Sequence, residues 1–159
     1  MLKNQSILKF IFITNFLILI FVYYVEYGMS IYACKLCKYQ RIPFFINLII
    51  LSIYFLNQQR FSKLLYALLV SIFMNISISF YHIGVENKIF AETKACNVDR
   101  TISSKDDLLN QLKKQGISGC SEVTFRIFGL SLSTLNFLSN IVFFVICVHI
   151  LRNEKKYKN

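Results

Sequence analysis

Cys34 and Cys37 are the residues with the clearest chemistry, because they form a Cys-Lys-Leu-Cys motif followed closely by Gln40 and Arg41. Two cysteines at this spacing can alternate between a dithiol and a disulfide, and in a soluble α/β protein they would indicate a thioredoxin-like site. Here apolar segments of membrane-spanning length flank the motif and leave no room for that fold. The motif is therefore expected at a membrane surface, where thiols can exchange electrons with lipid-soluble and water-soluble molecules.

The surroundings of this CxxC motif favour a reactive thiolate. The motif precedes or begins the second apolar segment, and the unsatisfied amides at a helix N-terminus should stabilise negative charge and lower a thiol pKa. Lys35, Lys38 and Arg41 add positive charge, and Arg41 lies one helical turn after Cys37 on the same face. A cation there would stabilise a thiolate or the anionic form of a bound acceptor. The plainer alternative is a structural disulfide beside interfacial basic residues.

Two further cysteines, Cys96 and Cys120, lie in a long polar loop at a separation that suits a loop-closing disulfide. Four cysteines could also form a zinc site, but zinc usually uses two closely spaced pairs and this second pair is split, so we expect no metal. His82 is a candidate for contact with a ligand beside Arg41, although such a histidine is more often an interfacial hydrogen-bonding residue. Cys147 is expected to be an inert packing residue.

These residues must be positioned by four apolar segments, each expected to be a membrane-spanning helix of roughly 20 residues. The expected spans are 7–25, 42–58, 64–83 and 128–151. The second is short, so it must either borrow the polar residues after Leu56 or start inside the cysteine motif. A signal peptide is the alternative for the first span, but its apolar run is long and no cleavage pattern follows. The sequence thus predicts one all-α integral membrane domain over 1–159, a four-transmembrane-helix bundle.

The expected loops 26–41 and 84–127 lie on the same side of the membrane. In the longer loop, Ser104 to Gly116 predicts a short amphipathic helix, with its apolar stripe either on the membrane surface or against the bundle. The short connection between the second and third spans predicts that these two helices are antiparallel neighbours. Polar residues inside the spans are expected to form interhelical hydrogen bonds: Asn47, Asn75, Ser77 and Asn136.

The net charge of +10 does not indicate nucleic-acid binding, because it is concentrated on one side of the expected bundle. The side that holds both termini and the short connection carries eight basic residues and one acidic residue. Basic residues concentrate in cytoplasmic loops, so both termini are expected in the cytoplasm. Every cysteine except Cys147 then lies on the outer side, where disulfides form and persist.

Taken together, these motifs resemble the disulfide bond formation protein B (DsbB) family of bacterial inner-membrane thiol oxidoreductases. The resemblance covers nearly the whole chain and is carried by CxLCxxQR at 34–41, YHxGVE at 81–86, Cys96 and Cys120, RxxGLS at 126–131, and Asn136. Two features depart from the family pattern. Lys35 stands where relatives often have proline or an apolar residue, and Phe125 stands near a position that is often tryptophan. Neither change removes a reacting group.

The resemblance implies that the protein is an enzyme, a protein-disulfide:quinone oxidoreductase. It would reoxidise a periplasmic DsbA-type thiol oxidase and so sustain disulfide formation, which is a chaperone role. Cys96 would form the mixed disulfide with that partner. Cys120 would then attack Cys34 and release Cys37 as a thiolate. This thiolate would lie next to a bound quinone, either ubiquinone or menaquinone.

In this scheme the quinone-binding residues would be Arg41 and His82. Two alternatives remain at this point: a non-catalytic membrane scaffold braced by two disulfides, or a DsbB relative dedicated to one substrate protein. Quinone-dependent turnover would distinguish the enzyme from the scaffold.

Overall fold

Four long helices make up most of what the computed structural model describes, which is residues 2–31, 33–56, 61–91, 120, 125–127 and 129–158. They are α1 (Leu2–Tyr23), α2 (Lys35–Leu56), α3 (Phe61–Glu86) and α4 (Leu132–Lys158). A π-helical turn (Tyr24–Gly28) continues α1, and the antiparallel strands β1 (Arg126–Ile127) and β2 (Leu130–Ser131) precede α4. Each helix includes a stretch long and apolar enough to cross a membrane, so the predicted all-α, four-span fold is confirmed. The amphipathic helix expected at 104–116 lies outside the described residues.

All four helices have large apolar side chains on their outer faces. Leu17 of α1, Ile49 of α2, Val70 of α3 and Val145 of α4 are all more than half exposed. A helix that is apolar on its outer face as well as its inner face is typical of a membrane span, because lipid rather than protein covers the outer side. These exposed apolar side chains therefore form the lipid-facing surface that a membrane-spanning bundle requires.

The bundle is ordered α1–α2–α3–α4, with α3 packed extensively against both α2 and α4. The expected neighbour relation between the second and third helices is confirmed. One core occupies the half of the bundle near the chain termini and includes Leu51, Leu68, Ile72 and Cys147. Cys147 is fully buried there, as expected of a packing residue.

Buried asparagines join neighbouring helices inside this bundle. Asn47 of α2 donates to Asn15 of α1, and Asn75 of α3 donates to Asn140 of α4, both at 3.4 Å. The expected interhelical role is thus confirmed for Asn47 and Asn75. It is wrong for Ser77, which lies on an exposed face and donates to a backbone carbonyl of its own helix at 3.0 Å.

The helices differ from the expected spans at their ends, and two of these differences affect the cysteine motif. The helix α2 begins at Lys35 rather than at residue 42, so it starts inside the motif. The helix α3 continues to Glu86 rather than ending at residue 83. The CxxC therefore lies on the first turn of α2, and the last turns of α3 face it.

Candidate functional site

The CxxC motif forms the N-terminal cap of α2. The backbone N–H of Cys37 donates to Cys34 Sγ at 3.3 Å, and the Lys38 N–H donates to the Cys34 carbonyl at 3.2 Å. Both Cys34 and Cys37 are free thiols in this structure. Cys34 is buried, whereas Cys37 is only partly buried. Cys37 is therefore the sulfur more open to an incoming molecule.

The Cys34 thiol is held in its protonated form. A hydrogen bond with the Cys37 side chain and burial together raise the pKa of Cys34 to about 12, although His82 acts in the opposite direction. The expected lowering of the thiol pKa at this helix start is wrong for Cys34, because loss of water and a sulfur neighbour outweigh the favourable helix terminus. Cys34 consequently keeps its proton across the ordinary pH range.

His82 of α3 packs directly on the two cysteines. Its Nε2 atom lies 3.5 Å from Cys34 Sγ, and its Nδ1 atom lies 4.0 Å from Cys37 Sγ. The side chain is almost completely buried, at 2% exposure. One donor atom from each of these three residues falls within 4.8 Å of the other two. The structure thus brings together three of the residues singled out from the sequence.

Polar partners on two sides orient the His82 ring. The Gln40 amide nitrogen lies 3.1 Å from Nδ1, and Glu86 Oε1 lies 3.6 Å from Nε2 one turn along α3. Glu86 in turn accepts hydrogen bonds from Ser131 at 2.7 Å and Ser133 at 2.6 Å. With the Gln40 amide donating to Nδ1, the ring proton is on Nε2 and points between Cys34 and Glu86.

Asn136 connects this group to the rest of the bundle. Its amide donates to Gln40 Oε1 at 3.2 Å, to Asn75 Oδ1 at 3.2 Å and to Ser79 Oγ at 2.9 Å. One side chain of α4 therefore contacts polar groups of both α2 and α3, and the interhelical role expected for Asn136 is confirmed. Asn136 contacts Gln40, and Gln40 in turn contacts the His82 ring. The position of Asn136 in an apolar segment did not reveal this link to His82.

Arg41 is buried one turn after Cys37 and forms an ion pair with Glu26 of the π-helical turn. Its guanidinium carbon also lies 4.8 Å from the centre of the Tyr23 ring, a cation–π contact. The Nε and Nη2 atoms of Arg41 have no hydrogen-bond partner among the described residues. Sequence reasoning missed Glu26, although an acidic residue at the end of an apolar span is a recognisable signal.

A cavity of about 330 Å³ connects these groups. Cys34, Cys37, Arg41 and His82 lie in its wall. The rest of the wall is mostly apolar and comes largely from α1, α2 and α4, including Leu19, Val22, Phe44 and Leu135. A volume in the range of ordinary ligand pockets, apolar walls and unpartnered guanidinium N–H groups together suit an apolar molecule that carries a hydrogen-bond acceptor.

Cys120 also lines this cavity and is buried, at 2% exposure. It belongs to one small core cluster with Cys34, Leu36 and Val85. The structure therefore places a residue of the long loop against the CxxC motif. Cys96 lies outside the described residues, so its expected pairing with Cys120 remains a prediction.

Comparison with known proteins gave two matches. Residues 4–150 match the model of a family described as disulfide bond formation protein DsbB. The chain is also 28% identical over 160 residues to the uncharacterized protein RP370 of Rickettsia prowazekii (strain Madrid E). That alignment covers 98% of this chain and 92% of the relative.

Proposed function

Because the chain belongs to the DsbB family of membrane oxidoreductases that act in disulfide formation, we propose that it transfers electrons from a DsbA-type thiol oxidase to a membrane quinone. The observation that carries this proposal is the position of Cys37, partly exposed beside a largely apolar cavity that also contains the buried Arg41 guanidinium. A dithiol in such a place can react with a lipid-soluble acceptor without releasing it into water.

The thiol steps of this proposal are those that the resemblance to the DsbB family implies. The partner dithiol reduces the Cys96–Cys120 disulfide through a mixed disulfide at Cys96, and the partner leaves as a disulfide. Cys120 then attacks Cys34 of the oxidised CxxC, and Cys37 leaves as the thiolate. Completion of this exchange restores Cys96–Cys120 and leaves the Cys34–Cys37 dithiol. The shared cluster of Cys120 and Cys34 supports direct exchange between the two pairs.

A bound quinone supplies the capacity to accept two electrons and two protons from this dithiol. Arg41 has two N–H-bearing nitrogens, Nε and Nη2, that have no partner among the described residues and could donate to a carbonyl oxygen in the cavity. His82 contacts both sulfurs, and its Nε2–H can stabilise negative charge on Cys34 Sγ as the disulfide forms again. The residues that would hold the quinone are therefore Arg41 and His82.

The proposed location is the bacterial inner membrane, with both termini in the cytoplasm and the reacting cysteines on the periplasmic side. The charge asymmetry along the chain supports this orientation. A reporter fused after Asn159 should then behave as cytoplasmic, and a reporter inserted near Lys105 should behave as periplasmic. The opposite pattern would contradict the orientation and, with it, the disulfide chemistry.

Separate variants of the two cysteine pairs test the relay. Cys37→Ser should allow a single reaction with a reduced DsbA-type protein but block turnover with quinone. Cys96→Ser should abolish mixed-disulfide capture and leave the CxxC–quinone reaction intact. If Cys96→Ser turned over the partner normally, the second pair would be structural only. A protein whose disulfides remain unreduced by any reduced thioredoxin-fold partner would be the non-catalytic scaffold.

A further inference from the structure

The reduced CxxC and His82 have the arrangement of a metal site. Cys34 Sγ and His82 Nε2 are 3.5 Å apart, and the donor atoms of Cys34, Cys37 and His82 all lie within 4.8 Å of one another. In a tetrahedral zinc site, bonds of about 2.0–2.3 Å place neighbouring ligand atoms about 3.5–3.8 Å apart. One pair already has this separation, and small side-chain rotations would bring in the third donor.

The types of ligand atom indicate which class of metal ion would bind. Two thiolates and one imidazole are ligands for zinc and similar borderline-soft ions, and they leave a fourth position open. Glu86 Oε1, 3.6 Å from His82 Nε2, is close enough to fill that position. Gln40 supports the ring from the other side, and rotation of its amide would let its oxygen accept a hydrogen bond from Nδ1–H when Nε2 binds the ion.

We propose that the reduced site binds one zinc-class divalent ion through Cys34, Cys37 and His82, and that this ion blocks reoxidation of the dithiol. Binding converts the dithiol and the ion into a metal dithiolate and two protons. Reoxidation converts the same dithiol and a quinone into a disulfide and a quinol. The two reactions use the same sulfurs and exclude each other. The inhibitory part of this inference rests on the proposed function, whereas the binding part does not.

This site differs from the four-cysteine zinc site considered from the sequence. It needs neither Cys96 nor Cys120, and it takes its third ligand from α3 instead of the long loop. It also exists only in one redox state, because a disulfide offers no thiolate to a metal. Zinc binding would therefore stabilise the reduced form selectively and slow reoxidation of the dithiol.

The binding experiment uses the full-length protein in detergent with Cys96→Ser and Cys120→Ser, which removes the other outer cysteines. After reduction with a phosphine, the protein is titrated with Co²⁺ without oxygen. We expect one equivalent to bind, with thiolate-to-cobalt charge-transfer bands and the visible bands of a tetrahedral ion. Adding Cys37→Ser or His82→Gln should weaken binding by more than about 100-fold, because even outer-shell changes cost 10–100-fold. Adding Cys147→Ser or His149→Gln, which alter the other thiol and the other histidine, should have no effect.

The outcomes separate the two parts of the inference. No uptake by the reduced protein, equal uptake by the oxidised protein, or unchanged uptake in both Cys37→Ser and His82→Gln would overturn the site. In the unsubstituted protein, Zn²⁺ at ten times its Kd should slow quinone reduction about tenfold, and a chelator should restore the rate. An undiminished rate would overturn the inhibition. Cobalt binding by a protein that never reduces quinone would instead contradict the proposed relay and leave the metal site standing.

Discussion

Arg41 of α2 and Glu26 of the π-helical turn form a buried ion pair, and each of the two residues is only 7% exposed. The π-helical turn at the end of α1 places the carboxylate against α2, beside the first turns that carry the cysteines. Insertions of this kind in helices are frequent at functional sites. The pair fixes the guanidinium next to the cavity while Nε and Nη2 stay unpartnered among the described residues.

Arg41→Gln should weaken quinone use by about one to two decades, because a hydrogen bond to a charged group contributes roughly 1.5–3 kcal/mol. Thiol exchange with the protein partner should remain largely intact. Steady-state kinetics with varied quinone measure the first effect, and single-turnover oxidation of the partner measures the second. Unchanged quinone affinity and turnover would mean that Arg41 only fixes α2 at the membrane interface.

Glu26→Gln should destabilise the protein by about 3–5 kcal/mol, because it leaves the buried Arg41 charge without its partner. Thermal unfolding in detergent should show a clearly lowered Tm. Lys38→Gln is the matched control, because Lys38 also approaches Glu26, at 3.8 Å, but is 60% exposed. An exposed pair contributes about 0–1 kcal/mol, so this control should unfold almost as the unsubstituted protein does. Equal behaviour of the two variants would contradict the role given to the buried pair.

Cys37 should be alkylated faster than Cys34 in the reduced protein. Cys34 is buried and its pKa is raised to about 12, so its thiolate is scarce at neutral pH. Because alkylation requires the thiolate, the Cys34 rate should keep increasing as the pH rises beyond the ordinary thiol range of about 8–9. Peptide mapping by mass spectrometry after timed alkylation measures both rates. Equal rates at neutral pH would show that Cys34 is not protected in this way.

Asn136→Leu should reduce both stability and quinone turnover. The substitution leaves Gln40 Oε1 and Asn75 Oδ1 without the amide of Asn136, and each unsatisfied buried group costs about 1–3 kcal/mol. Gln40 would also lose the contact that holds it against His82. Ser77→Ala is the control, since among the described residues that hydroxyl donates to the Phe73 carbonyl of its own helix, on an exposed face. A Tm for Asn136→Leu equal to that of the control would contradict the stabilising role given to Asn136.

The four spans, and the place of the CxxC motif between the first two, could be predicted because lipid imposes a long apolar run on each helix. The start of α2 could not be placed, because Lys35, Lys38 and Arg41 make its first turns polar although they are helical. The pairing of Arg41 with Glu26 depends on a π-helical turn that leaves no pattern in the residues. His82 could be placed on the correct side, but its contacts with both sulfurs depend on how α3 packs against α2.

Quinone reduction by the purified protein is the decisive measurement of electron transfer from the partner thiols to quinone. Full-length protein in detergent is mixed with an excess of a reduced DsbA-type protein and a soluble quinone, and quinone absorbance and partner thiols are followed together. We expect catalytic loss of two thiols per quinone reduced, retained in Cys147→Ser and abolished in Cys37→Ser. Partner oxidation without quinone reduction, or turnover that survives Cys37→Ser, would contradict the proposed relay.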